Sequence, residues 1–253
     1  MNYEDVQKVS NAAKAKSNLV NTNFFKYFIR AVMAGFFIDV AMIYSNVVGN
    51  VFSKTMPEWG KFVGALVFSI AVLLISFVGG ELFTGNNMVM AMGVYTKTCK
   101  VSDMIKTWVI SYIGNFVGSF ILGGLFVWSN ASHQILVDYY RSFIYTKLDA
   151  TPMELFVRGV LCNFLVCLAV YTGMKLKSES GKMIMMFCII TAFVLAGFEH
   201  CVANMGTFTI GYMLLGDIGT AAVIKSQFFV TLGNIVGGAV LLAFPLKQMS
   251  AEH

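Results

Sequence analysis

Two glutamates stand in matching contexts 118 residues apart, each inside an otherwise uncharged apolar run. Glu81 lies in Val78-Gly79-Gly80-Glu81-Leu82-Phe83-Thr84-Gly85-Asn86, and Glu199 in Ala196-Gly197-Phe198-Glu199-His200-Cys201-Val202-Ala203-Asn204. Each has a glycine two residues before it and an asparagine five residues after it. A carboxylate at membrane depth costs about 2.5–3.5 kcal/mol on insertion scales, so such residues mark function or a built partner. A matched pair in two halves of a chain points to two broken helices meeting at the bilayer midplane, the layout of a transport path. A break in mid-membrane frees backbone N–H and C=O groups, and the glycines at 79, 80, 85, 197 and 206 permit the turns. Two readings are open for Glu81 and Glu199: a clasp on the freed N–H groups, or direct coordination of an ion.

His200 is the one histidine inside an apolar run; His133 and His253 lie elsewhere. Its ring can donate, accept or change charge near neutrality. A lone histidine is often a satisfied core residue, but at a transport midplane it reads as pore-lining. Thr84, one turn past Glu81, is read as holding the equivalent place on the opposing break, with a hydroxyl able to bond a small anion or His200 itself. Asn204 and Asn163 also lie in apolar runs and need partners; Asn163 either faces the path or makes a structural hydrogen bond. Lys147 shares a polar stretch with Asp138, Asp149 and Glu154. It is an ordinary solvated lysine or, near a pore mouth, an attractor of anions through local field focusing.

The elements that must position these residues are membrane helices. The chain of 253 residues is 57% hydrophobic and 12% charged, with 23 phenylalanines. Apolar runs at about 31–50, 62–80, 88–95, 107–128, 155–174, 183–198, 205–215 and 226–246 give six spans of roughly 20 residues. The second and fifth are broken by the glutamate motifs. The first 23 residues are polar and show no signal-peptide pattern. Val6, Val9 and Ala13 recur at helical spacing there, so a membrane-surface amphipathic helix and a disordered tail both remain open. Six spans put eleven lysines on one side, including Lys8, Lys16, Lys97, Lys175 and Lys182. The other side holds five basic residues, Lys54, Lys61, Arg141, Lys147 and Lys225. That bias places both termini in the cytoplasm and accounts for the net charge of +5 without a nucleic acid partner. The five cysteines, mostly in spans and without Cys-x-x-Cys, read as small buried hydrophobes. No cofactor or metal site is expected.

The spans themselves are duplicated. Phe28-Ile29-Arg30-Ala31-Val32 opens the first and Phe156-Val157-Arg158-Gly159-Val160 the fourth; Gly114-Asn115-Phe116-Val117-Gly118 in the third matches Gly233-Asn234-Ile235-Val236-Gly237 in the sixth. Three spans is an odd number, so the second copy must run through the bilayer inverted. The expected fold is all-α: six transmembrane helices in two inverted three-helix repeats, an aquaporin-like hourglass. Its parts are a cytoplasmic segment 1–24, a first repeat 25–128, an external connector 129–152, a second repeat 153–246 and a cytoplasmic tail 247–253. The Gly-Asn-x-Val-Gly segments are assigned to close packing, with Asn115 and Asn234 bonded to a neighbouring helix.

Together these residues resemble the formate/nitrite transporter family from about Phe25 to Phe244. The run from Gly197 to Met205 is similar to its signature around a central histidine, and Glu81-Leu82-Phe83-Thr84 to its threonine-bearing loop. Asn163-Phe164-Leu165-Val166-Cys167-Leu168-Ala169-Val170 and Gly233-Asn234-Ile235-Val236-Gly237-Gly238 resemble its fourth- and sixth-span motifs. Within the family the chain looks most like the hydrosulfide channel branch. The resemblance implies a homopentamer with one pore per protomer in the plasma (inner) membrane of a prokaryote, passing hydrosulfide, or alternatively formate or nitrite. It implies His200 and Thr84 between two hydrophobic constrictions, an outer one of Phe68, Val72 and Phe193 and an inner one of Leu82, Phe83 and Val166. Lys147, 16 residues before Asn163, would stand at the outer mouth. Val72 is smaller than the leucine of formate channels. Rival readings are weaker. A neutral-solute pore lacks its Asn-Pro-Ala breaks, and an enzyme built on Glu199, His200 and Cys201 would need adjacent helical residues to converge although they diverge by about 100° each.

Overall fold

The computed structural model describes residues 3–250, and it is helical along nearly all of them. After an N-terminal helix α1 (Tyr3–Thr22), span 1 is α2 (Phe24–Thr55). Span 2 comprises α3 (Pro57–Phe68), α4 (Ile70–Leu74) and a π-helical turn (Ile75–Gly79); it breaks and continues as α5 (Phe83–Tyr95). Span 3 is α6 (Val101–Trp128), and α7 (His133–Leu148) links it to span 4, α8 (Pro152–Lys175). Span 5, α9 (Glu179–Ala196), breaks and continues as α10 (Cys201–Leu215). Span 6 runs through α11 (Thr220–Ile235), a π-helical stretch (Val236–Ala243) and α12 (Phe244–Met249). Six stretches are long and apolar enough to cross a membrane, as the sequence requires.

Both breaks have one cause. The glycines two residues before the glutamates, Gly79 and Gly197, adopt φ of 99° and 78°, a left-handed conformation that a side chain disfavours. The chain then leaves the helix for three residues, the last of which, Leu82 and His200, are extended and cap the next helices. Backbone groups freed by the breaks find partners on spans 1 and 4: Glu81 N–H donates to Arg30 O at 3.0 Å and Glu199 N–H to Arg158 O at 3.3 Å.

The Gly-Asn-x-Val-Gly segments do more than pack. Asn115 donates to Ala31 O (2.8 Å) and Glu81 O (3.0 Å) and accepts from Phe83 N–H (2.9 Å). Asn234 repeats the pattern on Gly159 O (2.8 Å), Glu199 O (3.0 Å) and Cys201 N–H (2.9 Å). Each asparagine thus ties a broken loop to the two intact spans beside it. The glycines serve close approach: a Cβ on Gly118 would collide with Val32 O, and one on Gly237 with Val160 O.

Two stretches are more ordered than the sequence reading. The N-terminal segment is a helix whose apolar stripe is buried on the protein itself, Val6, Val9 and Ala13 lying in one cluster with Met88, Val89 and Met92 of α5. It is neither a tail nor a helix lying free on the membrane. The connector around Lys147 is the helix α7, anchored by buried Leu136, Tyr140 and Ile144. Cys188 is exposed on α9, unlike the buried Cys162, Cys167 and Cys201. Residues 1–2 and 251–253, with His253 and the end of the expected tail, lie outside the described residues.

Candidate permeation site

His200 serves two purposes at once. As the N-cap of α10, its Nδ1 accepts the Ala203 N–H at 3.0 Å. A ring nitrogen that accepts carries no proton, so the ring proton sits on Nε2. Nε2 lies 3.0 Å from Thr84 Oγ1 and donates to it, leaving the threonine hydroxyl proton for another acceptor. Thr84 is in the first turn of α5, so this contact brings the N-termini of two broken-span helices together. Their dipoles, both aimed at the junction, make it favourable to an anion. In repeat register the counterpart of His200 is Leu82, which begins α5; Thr84 meets His200 across the waist without being its counterpart in the repeat.

Two cavities approach this junction from opposite ends. One, of about 520 Å³, is lined by Glu199, His200 and Asn204 together with Phe68, Phe193, Lys61, Lys147 and Arg158. The other, of about 550 Å³, is lined by Glu81, Leu82, Gly85 and Asn86 together with Lys16, Arg30, Val72, Glu179 and Lys182. Thr84 is fully buried between residues that line the second cavity and the histidine that lines the first.

The glutamates are held by lysines and not by loop N–H groups. Lys147 Nζ sits 3.0 and 2.9 Å from the two Glu199 oxygens and 3.1 Å from Asn204 Oδ1, and Asn204 Nδ2 returns a bond to Glu199 at 2.9 Å. In the other cavity Lys16 Nζ lies 2.5 Å from Glu81 Oε2, with Asn86 Nδ2 at 3.3 Å. The physical reason is charge: a half-buried ammonium neutralises a carboxylate, whereas the breaks' N–H groups are already taken by span carbonyls and asparagines. Lys16 was missed from sequence. The repeat held the signal, since Lys147 precedes Arg158 by 11 residues and Lys16 precedes Arg30 by 14.

The expected constrictions are partly rearranged. Phe68 and Phe193 line the Glu199 cavity with their rings edge to face, centroids 6.0 Å apart, and Phe193 lies 6.1 Å from the His200 ring. Val72, assigned with them, lines the Glu81 cavity instead, because one further helical turn carries it past the waist. It joins Leu82 there. Phe83 packs edge to face on Tyr112 at 5.0 Å, and neither it nor Val166 lines either of the two cavities; both are buried in the core cluster that also holds Phe68, Val72, Leu82 and Phe193. Asn163 likewise lines neither cavity. Its amide is spent on Thr84 O (3.2 Å), Asn87 Oδ1 (3.0 Å) and Asn234 O (2.6 Å), so it is a strut behind Thr84.

The sequence reading also passed over Asp39. It lies in span 1, wholly buried, its carboxylate facing Ser119 and the Gly123 backbone. Outside the spans, Arg141 bonds Asp217 at 2.6 Å and holds its carboxyl below the usual carboxylate range, tying α7 to the turn after α10.

A six-span inverted-repeat fold with two cavities meeting at a paired histidine and threonine defines a membrane channel or transporter, not an enzyme. The formate/nitrite transporter family model matches residues 3–247, and the chain belongs to that family. It is 31% identical to the uncharacterized transporter YwcJ of Bacillus subtilis, over 100% of both chains. Its fold is similar to that of a solved FNT family ion channel (TM-score 0.92, 27% identity, 98% of this chain and 99% of that one). It is also similar to a pentameric formate channel with formate bound (TM-score 0.77, 28% identity, 89% and 96%).

Proposed function

We propose that the chain is a plasma-membrane channel for small monovalent anions of weak acids, with hydrosulfide the first substrate and the Glu199 cavity facing outward. The observation that carries this reading is the Thr84–His200 contact at the meeting of two helix N-termini. A bare anion is excluded from an apolar passage by its desolvation cost. At the junction the Thr84 hydroxyl offers a donor and the two helix dipoles a favourable field where water is lost, and His200 Nε2–H orients that hydroxyl. Hydrogen bonding by Thr84 and His200 fits better than proton donation from His200, since a doubly protonated ring would forfeit the Ala203 cap. Weak-acid anions suit the path because protonation by water in a vestibule supplies a neutral form for the apolar segments, most readily for hydrosulfide, whose acid ionises near neutrality.

A second reading, formate or nitrite, is supported by the family's description and by the formate bound in a similar channel. That channel's pentameric assembly also supports a pentamer here. The lysine bias supports cytoplasmic termini. A proteoliposome panel with hydrosulfide, formate, nitrite and chloride across pH tests the function: selective flux of the weak-acid anions is expected. Equal or absent flux for all four would refute it. His200→Asn is expected to cut that flux sharply.

A further inference from the structure

We infer that anions are first captured at each mouth by a crossed pair of cations, Lys61 with Arg158 at the outer mouth and Arg30 with Lys182 at the inner, and not by the lysines beside the glutamates. This inference rests on the channel reading. An ammonium has three donors, and those of Lys147 are all engaged, two by Glu199 and one by Asn204. Its charge is likewise cancelled by the carboxylate it holds. Lys16 spends one donor, and its charge, on Glu81. Neither has charge to spare for an arriving ligand.

The cations left over line the same two cavities. Among the described residues the side chains of Lys61, Arg30 and Lys182 make no hydrogen bond or ion pair, and that of Arg158 has only a Glu154 oxygen 4.0 Å away on the exposed surface. Lys61 reaches over the break, its Nζ 3.9 Å from where a Cβ on Gly197 would stand. The arrangement follows from the inverted repeat. Arg158 and Arg30 are equivalent residues of spans 4 and 1, each beside the glutamate of its own repeat through the carbonyl that accepts the glutamate N–H. Lys61 and Lys182 open spans 2 and 5, which start at one mouth and break at the other. Each lysine therefore reaches the mouth of the opposite repeat, and each mouth holds one arginine and one lysine from different halves. The ligand is a small monoanion, carboxylate, oxoanion or hydrosulfide, met by a guanidinium edge and an ammonium. The mouths are unequal: the outer sets three cations against Glu199 alone, the inner three against Glu81 and Glu179.

The test is formate and hydrosulfide influx into oriented proteoliposomes, comparing K61Q/R158Q with the charge-keeping K61R/R158K. The double neutral variant is expected to raise the half-saturating concentration about tenfold, within the range of electrostatic focusing, with maximal flux within about twofold. Its dependence on ionic strength should flatten, while K61R/R158K stays near wild type on both counts. An unchanged half-saturating concentration and salt dependence in K61Q/R158Q would overturn the inference, as would an equal loss of affinity in the charge-keeping variant. Absent anion flux in the wild type would instead refute the channel reading itself.

Discussion

Lys147→Met removes one half of a charge pair whose other half sits beside the waist. The two side chains are 12% and 5% exposed, with nitrogen–oxygen distances of 2.9–3.0 Å. Removing one partner of such a pair costs about 3–5 kcal/mol when the survivor stays charged and dry; the remaining Asn204 bond, at 2.9 Å, puts the expectation at the lower end. The effect on transport is separate. An uncompensated charge roughly 7 Å from a passing anion repels it by about 2.4 kcal/mol at an effective dielectric of about 20, a slowing of about 60-fold. Adding Glu199→Gln to Lys147→Met removes the stranded charge, so flux is expected to recover to within about fivefold of wild type although the pair is gone. The assay is initial formate or hydrosulfide influx into proteoliposomes holding matched amounts of protein. A single variant with wild-type flux, or a double variant no better than the single one, would refute the reasoning.

Asn234→Leu deletes three hydrogen bonds and strands the Cys201 N–H and Glu199 C=O; at about 1–3 kcal/mol for each buried unpaired group, a clear fall in melting temperature and loss of flux are expected, and Asn115→Leu should do the same. Asp39→Asn takes an ionisable group out of a dry site where, among the described residues, no cation pairs with it. It is expected to raise the melting temperature at alkaline pH by several degrees, about 2–4 °C per kcal/mol in a chain of this size, and a lowered one would contradict the assignment. Asp217, with its folded value depressed by Arg141, contributes stability above the unfolded carboxylate value of about 3.9 and loses it as pH falls through the lower folded value. Hydrogen exchange at the α7–α10 turn should therefore stay slow at pH 5 and quicken only in stronger acid, and Asp217→Asn should remove that step.

The hourglass was legible because its determinants are local and doubled. Glycine two residues before glutamate fixes a left-handed turn, and asparagine five residues after it returns a hydrogen bond to that carboxylate. The Gly-Asn-x-Val-Gly segments were visible too, but their work on the breaks was not, since bonds from Asn115 to Glu81 O and Phe83 N–H require the folded register. Lys16 and Lys147 come from outside the spans, on α1 and α7; the α1 stripe showed in the spacing of Val6, Val9 and Ala13 but not the α5 surface it packs on, and α7 did not stand out. Val72, Phe83, Val166 and Asn163 share a limit of another kind. Sequence places a residue on a span, but which side of the waist it lines depends on helix rotation and on where the cavities end. Asp39 was plainly readable in the first apolar run and was passed over because it has no twin in the second repeat.

The central claim is that one path joins the two cavities through the Thr84–His200 junction. Cysteine accessibility tests it most directly, with Phe68→Cys and Leu82→Cys placed in a background freed of reactive thiols and labelled by a charged thiol reagent from either side of a vesicle. The expected result is that Phe68→Cys reacts only from the Glu199 side and Leu82→Cys only from the Glu81 side, each modification stopping anion flux. Modification of both positions with flux undiminished would show that anions cross elsewhere.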